Sequence, residues 1–528
     1  MPRVARPALV QIAAPAATVR DAARTHLGTD AAFEVPPAPD TQPAIAVRLE
    51  FAERGDTTIV TAQPTGEIDV PFFSWFFRPA SALARRRTAR YILDALKAAV
   101  DGGEPPSPPG PIVLLPPVAF NEEQAVLLAT ASAAVAVVSF AGALFGQLSS
   151  PIRDSFHLSD ASLTIALALT RIGALIALIP TALADRRGRR RMIILGVALS
   201  ALACALSAVA TGVVMFTAAQ TLQRGVLITT ATVAAIAVIE ESPDGARAYA
   251  TSMLALAGGL GFSIAVVVLP LADRGRNGWR LPFALGAASI LLARPIAKHL
   301  KETRRYEAVA ARTDVARGRV KEIFDRRYGR RFILLAAVAF LTNVFAAPSS
   351  QLMNQYLREV RHFSNTGIAG FRTITTGIPG LVGLVLGGRL AEARGRRPVA
   401  AIGLTVATAT QMAFFLFGGP IIWVMSAASI LAAGAGGIAL GALDAELFAT
   451  EVRSTSNALI TTISVFGSGA GFLIAGLLAN PFGSIGRSIA LAGIPALIAA
   501  VFLVPRLPES AARALEDVSP TEEYRPDP

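Results

Sequence analysis

The stretch Asp185-Arg186-Arg187-Gly188-Arg189-Arg190-Arg191 lies between two long apolar runs. It returns as Glu392-Ala393-Arg394-Gly395-Arg396-Arg397, again between apolar runs, 207 positions further on. So many positive charges cannot lie within hydrocarbon, so both stretches are predicted as tight turns on the membrane face where Lys and Arg accumulate. The apolar runs around them are then membrane helices. Two more pairs keep that interval within one residue: Glu240 and Arg247 answer Glu446 and Arg453, and Glu302-Thr303 answers Glu509-Ser510. Charged anchors held in one register mean a duplicated unit, and two parallel halves of about six helices each are the architecture implied.

Composition supports that reading. With 53% hydrophobic and 16% charged residues, the 528-residue chain is too apolar for one soluble globule. Its formal net charge of +12 suggests nucleic acid at first sight, but the basic residues cluster in short loops between apolar runs, so no nucleic-acid partner is expected. A disulfide framework is excluded because Cys204 is the single cysteine, and its place in an apolar run makes it a small core residue. Arginine outnumbers lysine and alanine is abundant, as in proteins from GC-rich bacterial genomes.

Residues 1–101 do not read as membrane. Gln11 and Pro15 interrupt the short apolar core after Arg3 and Arg6, so a signal peptide is not expected. Alternation predicts strands at 44–51 and 57–63 with a turn at Glu53-Arg54-Gly55-Asp56, and Pro79 is expected to open a helix reaching about Val100. This makes a small soluble α+β domain. Its order of strands, aromatic segment and closing helix weakly resembles the end of a helix-grip, lipid-binding domain; the competing reading is a small docking or regulatory domain. Residues 102–121 form a linker, and seven prolines between Gly102 and Pro117 make it stiff. Twelve spans are then predicted, at about 123–149, 160–184, 191–211, 213–239, 246–271, 280–297, 331–355, 366–391, 398–418, 421–448, 454–479 and 487–505. They divide into a first half at 122–297 and a second at 331–505, joined by a basic loop at 298–330 and followed by a polar tail at 506–528. Loop charge places both termini in the cytoplasm of a bacterium, with the chain crossing its plasma membrane many times.

Leu183, Ala184, Asp185, Arg186, Gly188, Arg189 and Arg190 resemble the signature loop of the major facilitator superfamily, and Gly388, Leu390, Ala391, Glu392, Gly395, Arg396 and Arg397 match it a second time. Thr181 and Ala393 depart from the pattern. The resemblance covers about residues 120 to 510 and implies an all-α polytopic membrane protein with twelve transmembrane helices in two six-helix halves. Arg224-Gly225, Glu240 to Arg247, Trp279-Arg280, Glu446 to Arg453 and Pro508-Glu509-Ser510 are similar to the branch of sugar porters and metabolite-proton symporters. Drug efflux is disfavoured, since the fifth span reads Gly258-Gly259-Leu260-Gly261-Phe262 without the Gly-Pro motif of that branch.

The resemblance also implies that Asp185, Gly188, Arg189, Arg190, Glu240, Arg247, Glu392, Gly395, Arg396, Arg397, Glu446 and Arg453 act as a conformational latch. Physically, a carboxylate at the end of one span can face the positive N-terminus of a neighbouring helix and pair with nearby arginines. Inside the membrane, Arg171 and Arg224 are the exceptional residues, each costing about 2.5–3.5 kcal/mol at mid-bilayer unless it meets a partner or an aqueous cavity. In symporters of the resembled type an Asp in the first helix pairs with the fourth-helix arginine and carries the proton; Ala141 stands there instead. An anionic substrate is one way to compensate Arg224, and a carbonyl or hydroxyl partner is the other. Asn343, Gln351, Asn354 and Gln355 complete the candidate substrate or coupling residues.

No metal-ligand cluster, nucleophile motif or phosphate-binding loop is read, so neither an enzyme nor a cofactor is expected. His26, His157, His299 and His362 are scattered in loops and helix ends. The expected function is movement of a small polar metabolite by alternating access, with protons as coupling ion, in a monomer surrounded by lipid. The alternative is a transceptor or lipid-handling protein whose N-terminal domain binds an amphipathic ligand.

Overall fold

A computed structural model describes residues 8–36, 46–64, 72–110, 120–177, 180, 188–243, 246–302, 329–448, 450–479, 481 and 483–509. Asp185 and most of the basic loop and polar tail lie outside the described residues, as do the side chains of Arg247, Glu392, Glu446 and Arg453. The chain forms two compact units: residues 1–134, 234–257 and 295–307, and residues 135–233, 258–294 and 308–528.

The first unit begins with β1 (Ala8–Ile12) and α1 (Ala16–Leu27), followed by β2 (Glu34–Val35), β3 (Val47–Arg54), β4 (Thr57–Pro64) and α2 (Ser74–Asp101). The strands make one antiparallel sheet in the order β1-β4-β3-β2, so the first strand closes on the last. Alternation along β4 buries Thr58, Val60 and Ala62; Val60 and Ala62 share one aliphatic core with Val19 and Ala23 of α1 and Leu93 and Leu96 of α2, while Thr58 Oγ1 donates to the Ala14 carbonyl (2.7 Å). The strands expected at 44–51 and 57–63 are found close to those places, whereas β1 falls where a leader had to be weighed. Pro79 does not open α2 but lies inside it, five residues beyond Ser74, where it removes a single backbone donor near the helix start. Gly102 ends α2 in the left-handed conformation, with φ 70°. At Asn121 the chain enters α3 (Glu122–Gln147) through a reciprocal cap: Gln124 N donates to Asn121 Oδ1 (2.8 Å) and Asn121 N to Gln124 Oε1 (3.1 Å).

The second unit holds most of the membrane helices. After α3 come α4 (Ser149–Ser155), α5 (Asp160–Leu169), α6 (Ile172–Ile176), α7 (Arg189–Ala208), α8 (Val213–Glu241), α9 (Arg247–Val267), α10 (Arg280–Ala288) and α11 (Ile290–His299). The second half supplies α12 (Gly329–Gln351), α13 (Met353–Glu359), α14 (Asn365–Arg372), α15 (Ile378–Arg394), α16 (Arg396–Leu416), α17 (Ile421–Glu446), α18 (Thr450–Ala479) and α19 (Ile485–Ile498). Ten helices among the described residues are long and apolar enough to cross a membrane, or up to eleven if a bent pair is one span. The second and eighth expected spans, which occupy equivalent places in the halves, are both irregular near their middles. The second tightens between α5 and α6, where Arg171 N, Gly173 N and Ala174 N each donate to the carbonyl three residues back. The eighth widens into a π turn at Thr373–Gly377.

The helices touch through glycine. A Cβ on Gly467 or Gly471 of α18 would lie 2.3 Å or 2.0 Å from a carbonyl oxygen of α12, and one on Gly383 of α15 would lie 2.2 Å from the Leu431 carbonyl of α17. Backbones approach this closely only where small residues recur at helical spacing. Leu291, Ile402 and Leu477 are more than half exposed on the helix exteriors, as lipid-facing side chains are.

Candidate functional site

Residues three and four apart share a helix face, so α8 presents Gln220, Gln223 and Arg224 together. Arg224 lines a cavity of about 200 Å³ with Ser139 and Gln147 from the first span and Gln351 at the end of α12. A narrower recess of about 20 Å³ shares Gly142, Gly146, Arg224 and Gln351 and reaches Thr170, Arg171, Gln220 and Gln223. Arg171 and Arg224 are held side by side by a glycine crossing. A Cβ on Gly173 would stand 2.1 Å from the Thr221 carbonyl, and one on Gly225 would stand 2.9 Å from the Gly173 carbonyl.

The electrostatics of this place are one-sided. Arg171 is 6% exposed, its Nε and Nη2 have no hydrogen-bond partner among the described residues, and its guanidinium lies 4.9 Å from the Phe472 ring centroid. Arg224 Nε and Gln223 Oε1 are likewise buried without a partner among the described residues. Both guanidinium groups border the narrower recess, and among the described residues no carboxylate lines either cavity. Ala141, where an acid was sought, is 1% exposed and packed into the core, while the next residue, Gly142, faces the cavity.

Of the other expected contact residues, Gln351 lines the cavity, and Asn343 Nδ2 donates within its own helix to the Ala339 carbonyl (2.9 Å). Asn354 and Gln355 lie elsewhere, in a polar joint between the halves at the ends of the spans opposite the arginine loops. Asn354 Nδ2 donates to the Gln147 carbonyl and to Gln147 Oε1, both at 2.8 Å, and Asn354 Oδ1 accepts from Arg372 Nη1 (2.9 Å). Arg153 Nη1 of α4 reaches Asp160 Oδ1 of α5 and Glu359 Oε2 of α13, each at 2.7 Å. Gln355 Nε2 donates to the same two oxygens, at 2.8 Å and 3.2 Å, and Ser150 Oγ donates to Glu359 Oε1 (3.0 Å). Sequence reasoning missed Arg153, Asp160, Glu359 and Arg372. Arg372 carried a signal, since it stands inside an expected span; Arg153 and Glu359 fall between expected spans, and Asp160 is the first residue of one.

At the arginine loops, Gly188 caps α7 with φ 91° and ψ 143°, and Gly395 caps α16 with φ 97° and ψ 148°. This region is essentially closed to side-chain-bearing residues, which explains the glycine at a fixed place in both loops. Glu509 completes the second: its Oε1 accepts from Arg396 N (3.0 Å) and its Oε2 from Arg397 N (3.1 Å). A carboxylate does meet a helix N-terminus here, supplied from beyond the last span.

A family model described as the Major Facilitator Superfamily matches residues 130–443, more than half of the chain. The chain belongs to the Major Facilitator Superfamily. Among curated members it is 27% identical over 399 residues, 70% of this chain and 90% of the relative, to a probable 4-methylmuconolactone transporter of Cupriavidus pinatubonensis (strain JMP 134 / LMG 1197). Among solved facilitator structures it is similar to a bacterial homologue of the human lysosomal transporter Spinster, inward-facing and unoccupied. That match has TM-score 0.59 and 18% identity, covering 73% of this chain and 97% of that one. It is also similar to the inward-open xylose transporter XylE from E. coli, with TM-score 0.59 and 17% identity over 74% of this chain and 98% of that one. As a member of the superfamily the chain is a multi-pass membrane transporter of small solutes.

Proposed function

We propose that this facilitator moves a small organic anion by alternating access, with a proton as its coupling ion. The observation that carries the reading is the pair Arg171 and Arg224, buried beside a cavity with nitrogens unpartnered and no carboxylate among the described residues. Buried cations are costly without a counter-charge, and a negatively charged solute entering the cavity supplies one. Gln351 and Ser139 on the cavity wall give uncharged hydrogen-bonding groups for the rest of such a molecule. The similarity to a probable 4-methylmuconolactone transporter agrees, since a lactone formed from one acid group of a dicarboxylic acid keeps the other as an anion. In this reading Asp185, Arg189, Arg190, Glu392, Arg396 and Arg397 latch the cytoplasmic face, in the inner membrane of a bacterium with both termini inside.

Thermal unfolding of the purified full-length protein with 4-methylmuconolactone, benzoate, xylose and oleate tests the anion reading, because a ligand of the native state raises stability by mass action, by about 2.7 kcal/mol at a hundredfold excess over Kd. The carboxylated small solutes are expected to raise Tm in the wild type and to lose that effect in Arg224→Ala. Stabilisation by xylose alone overturns the reading. Stabilisation by oleate alone moves the binding element to the N-terminal domain.

A further inference from the structure

The joint that ties α4 and α5 to α13 has an unbalanced charge. Arg153 faces Asp160 and Glu359 through one nitrogen, while its Nη2 holds Asp154 Oδ1 at 3.2 Å. Arg358 Nη2 stands 3.9 Å from the other oxygen of Asp154. Two guanidinium groups therefore meet three carboxylates, and the cluster carries one excess negative charge. The next charges belong to other contacts: Arg372 of α14 bonds Asn354, Asp273 Oδ1 accepts from Asn365 Nδ2 (2.6 Å), Arg361 Nε donates to Tyr356 Oη (2.8 Å), and Arg276 meets His157. The Arg153, Asp160 and Glu359 side chains are only 22–26% exposed, so the excess is poorly hydrated.

We infer that closing this joint takes up one proton on Glu359, beside Asp160 and Arg153, and that this is the coupling-proton site which the cavity lacks. The inference rests on the proton-coupled reading above. When the halves separate at this end, both carboxylates are hydrated. Closure brings Asp160 and Glu359 together onto Arg153 Nη1 and Gln355 Nε2, and a proton taken from water on that side onto Glu359 brings the cluster to neutrality. Burial, with the charge of Asp160 adding to it, holds the Glu359 carboxyl above the usual carboxylate range in the closed joint, against the opposing pull of Arg153, Gln355 and Ser150. The sign follows from linkage: the closed state, with the raised value, binds the proton more tightly, so acid favours closure and closure is disfavoured as pH rises through the raised value. A second site in the cavity is unnecessary, and the absence of an acid at Ala141 is accounted for.

The test is the distance between spin labels at Asn277→Cys and Thr366→Cys, two exposed positions on opposite halves, in the full chain in lipid nanodiscs. Cys204 is buried. From about pH 8 to about pH 5 the short-distance population is expected to grow about twofold or more. In Glu359→Gln and in Asp160→Asn, each of which removes the excess charge, the joint is expected to stay closed at both ends of that range. A wild type whose distances ignore pH, or variants that titrate as the wild type does, overturns the inference. Proton entry with 4-methylmuconolactone into liposomes, read by an entrapped pH dye, separates the two readings. Its absence in the wild type ends the coupled-carrier reading, whereas its persistence unchanged in Glu359→Gln ends the assignment of the site and leaves the carrier reading standing.

Discussion

Glu509 shows how single side chains hold the arginine-loop end together. Its two oxygens satisfy the first backbone donors of α16, next to a glycine whose φ of 97° a substituted residue adopts only under strain. Gly395→Ala meets both that strain, about 1–3 kcal/mol, and a Cβ placed 2.9 Å from Glu509 Oε2. Glu509→Ala loses a cap, about 0.5–2 kcal/mol, and Glu509→Gln keeps one acceptor. Thermal unfolding in detergent is expected to rank them with Gly395→Ala lowest in Tm, then Glu509→Ala, then Glu509→Gln. Arg171 and Arg224 were legible in the sequence because a guanidinium within an apolar run has few tolerable explanations. Glu359 and Asp160 were not, because an acid at the end of a span reads as solvated until the structure supplies the neighbour from the other half.

Among elements, the glycine crossing of α6 and α8 governs the site. It sets two cations side by side at backbone contact, and a methyl group there must push the helices apart. Gly173→Ala is therefore expected to lower Tm and to abolish stabilisation by 4-methylmuconolactone, while Gly259→Ala, with nothing within 4 Å of its added methyl, is expected to keep that stabilisation and raise Tm slightly. The same thermal-shift titration reads both. Span positions were legible from run length alone, since hydrocarbon thickness fixes it. The break in the second span was not, since Thr170-Arg171-Ile172-Gly173 contains no proline, whereas the π turn of the eighth lies just before Pro379, whose ring and missing N–H oppose a regular turn onto the Thr375 carbonyl.

Across the whole molecule the duplication is written in backbone angles as well as in charges. His157 and His362 share positive φ, 53° and 57°, and Ser159 and Ser364 cap the following helices through the same side-chain bond to the nitrogen three residues on. From cap to glycine the first copy runs 29 residues, Ser159 to Gly188, and the second 31, Ser364 to Gly395. The surplus falls in the stretch that contains the π turn, the form a helix takes when it absorbs inserted residues. The halves are thus copies that have diverged in the length of the span before each arginine loop.

The uncompensated pair Arg171 and Arg224 also has an electrical consequence. A carrier that reorients while empty takes those cations through part of the membrane field, and each full elementary charge is worth about 2.3 kcal/mol per 100 mV. An inside-negative potential therefore draws the unloaded site inward and resists its return, whereas a bound monoanion removes half of that load. Voltage steps applied to solute-free protein in a planar bilayer are expected to give transient currents that shrink in Arg224→Ala and on adding 4-methylmuconolactone. The resting potential of the cell then acts as a brake on the empty molecule and is partly released by its cargo.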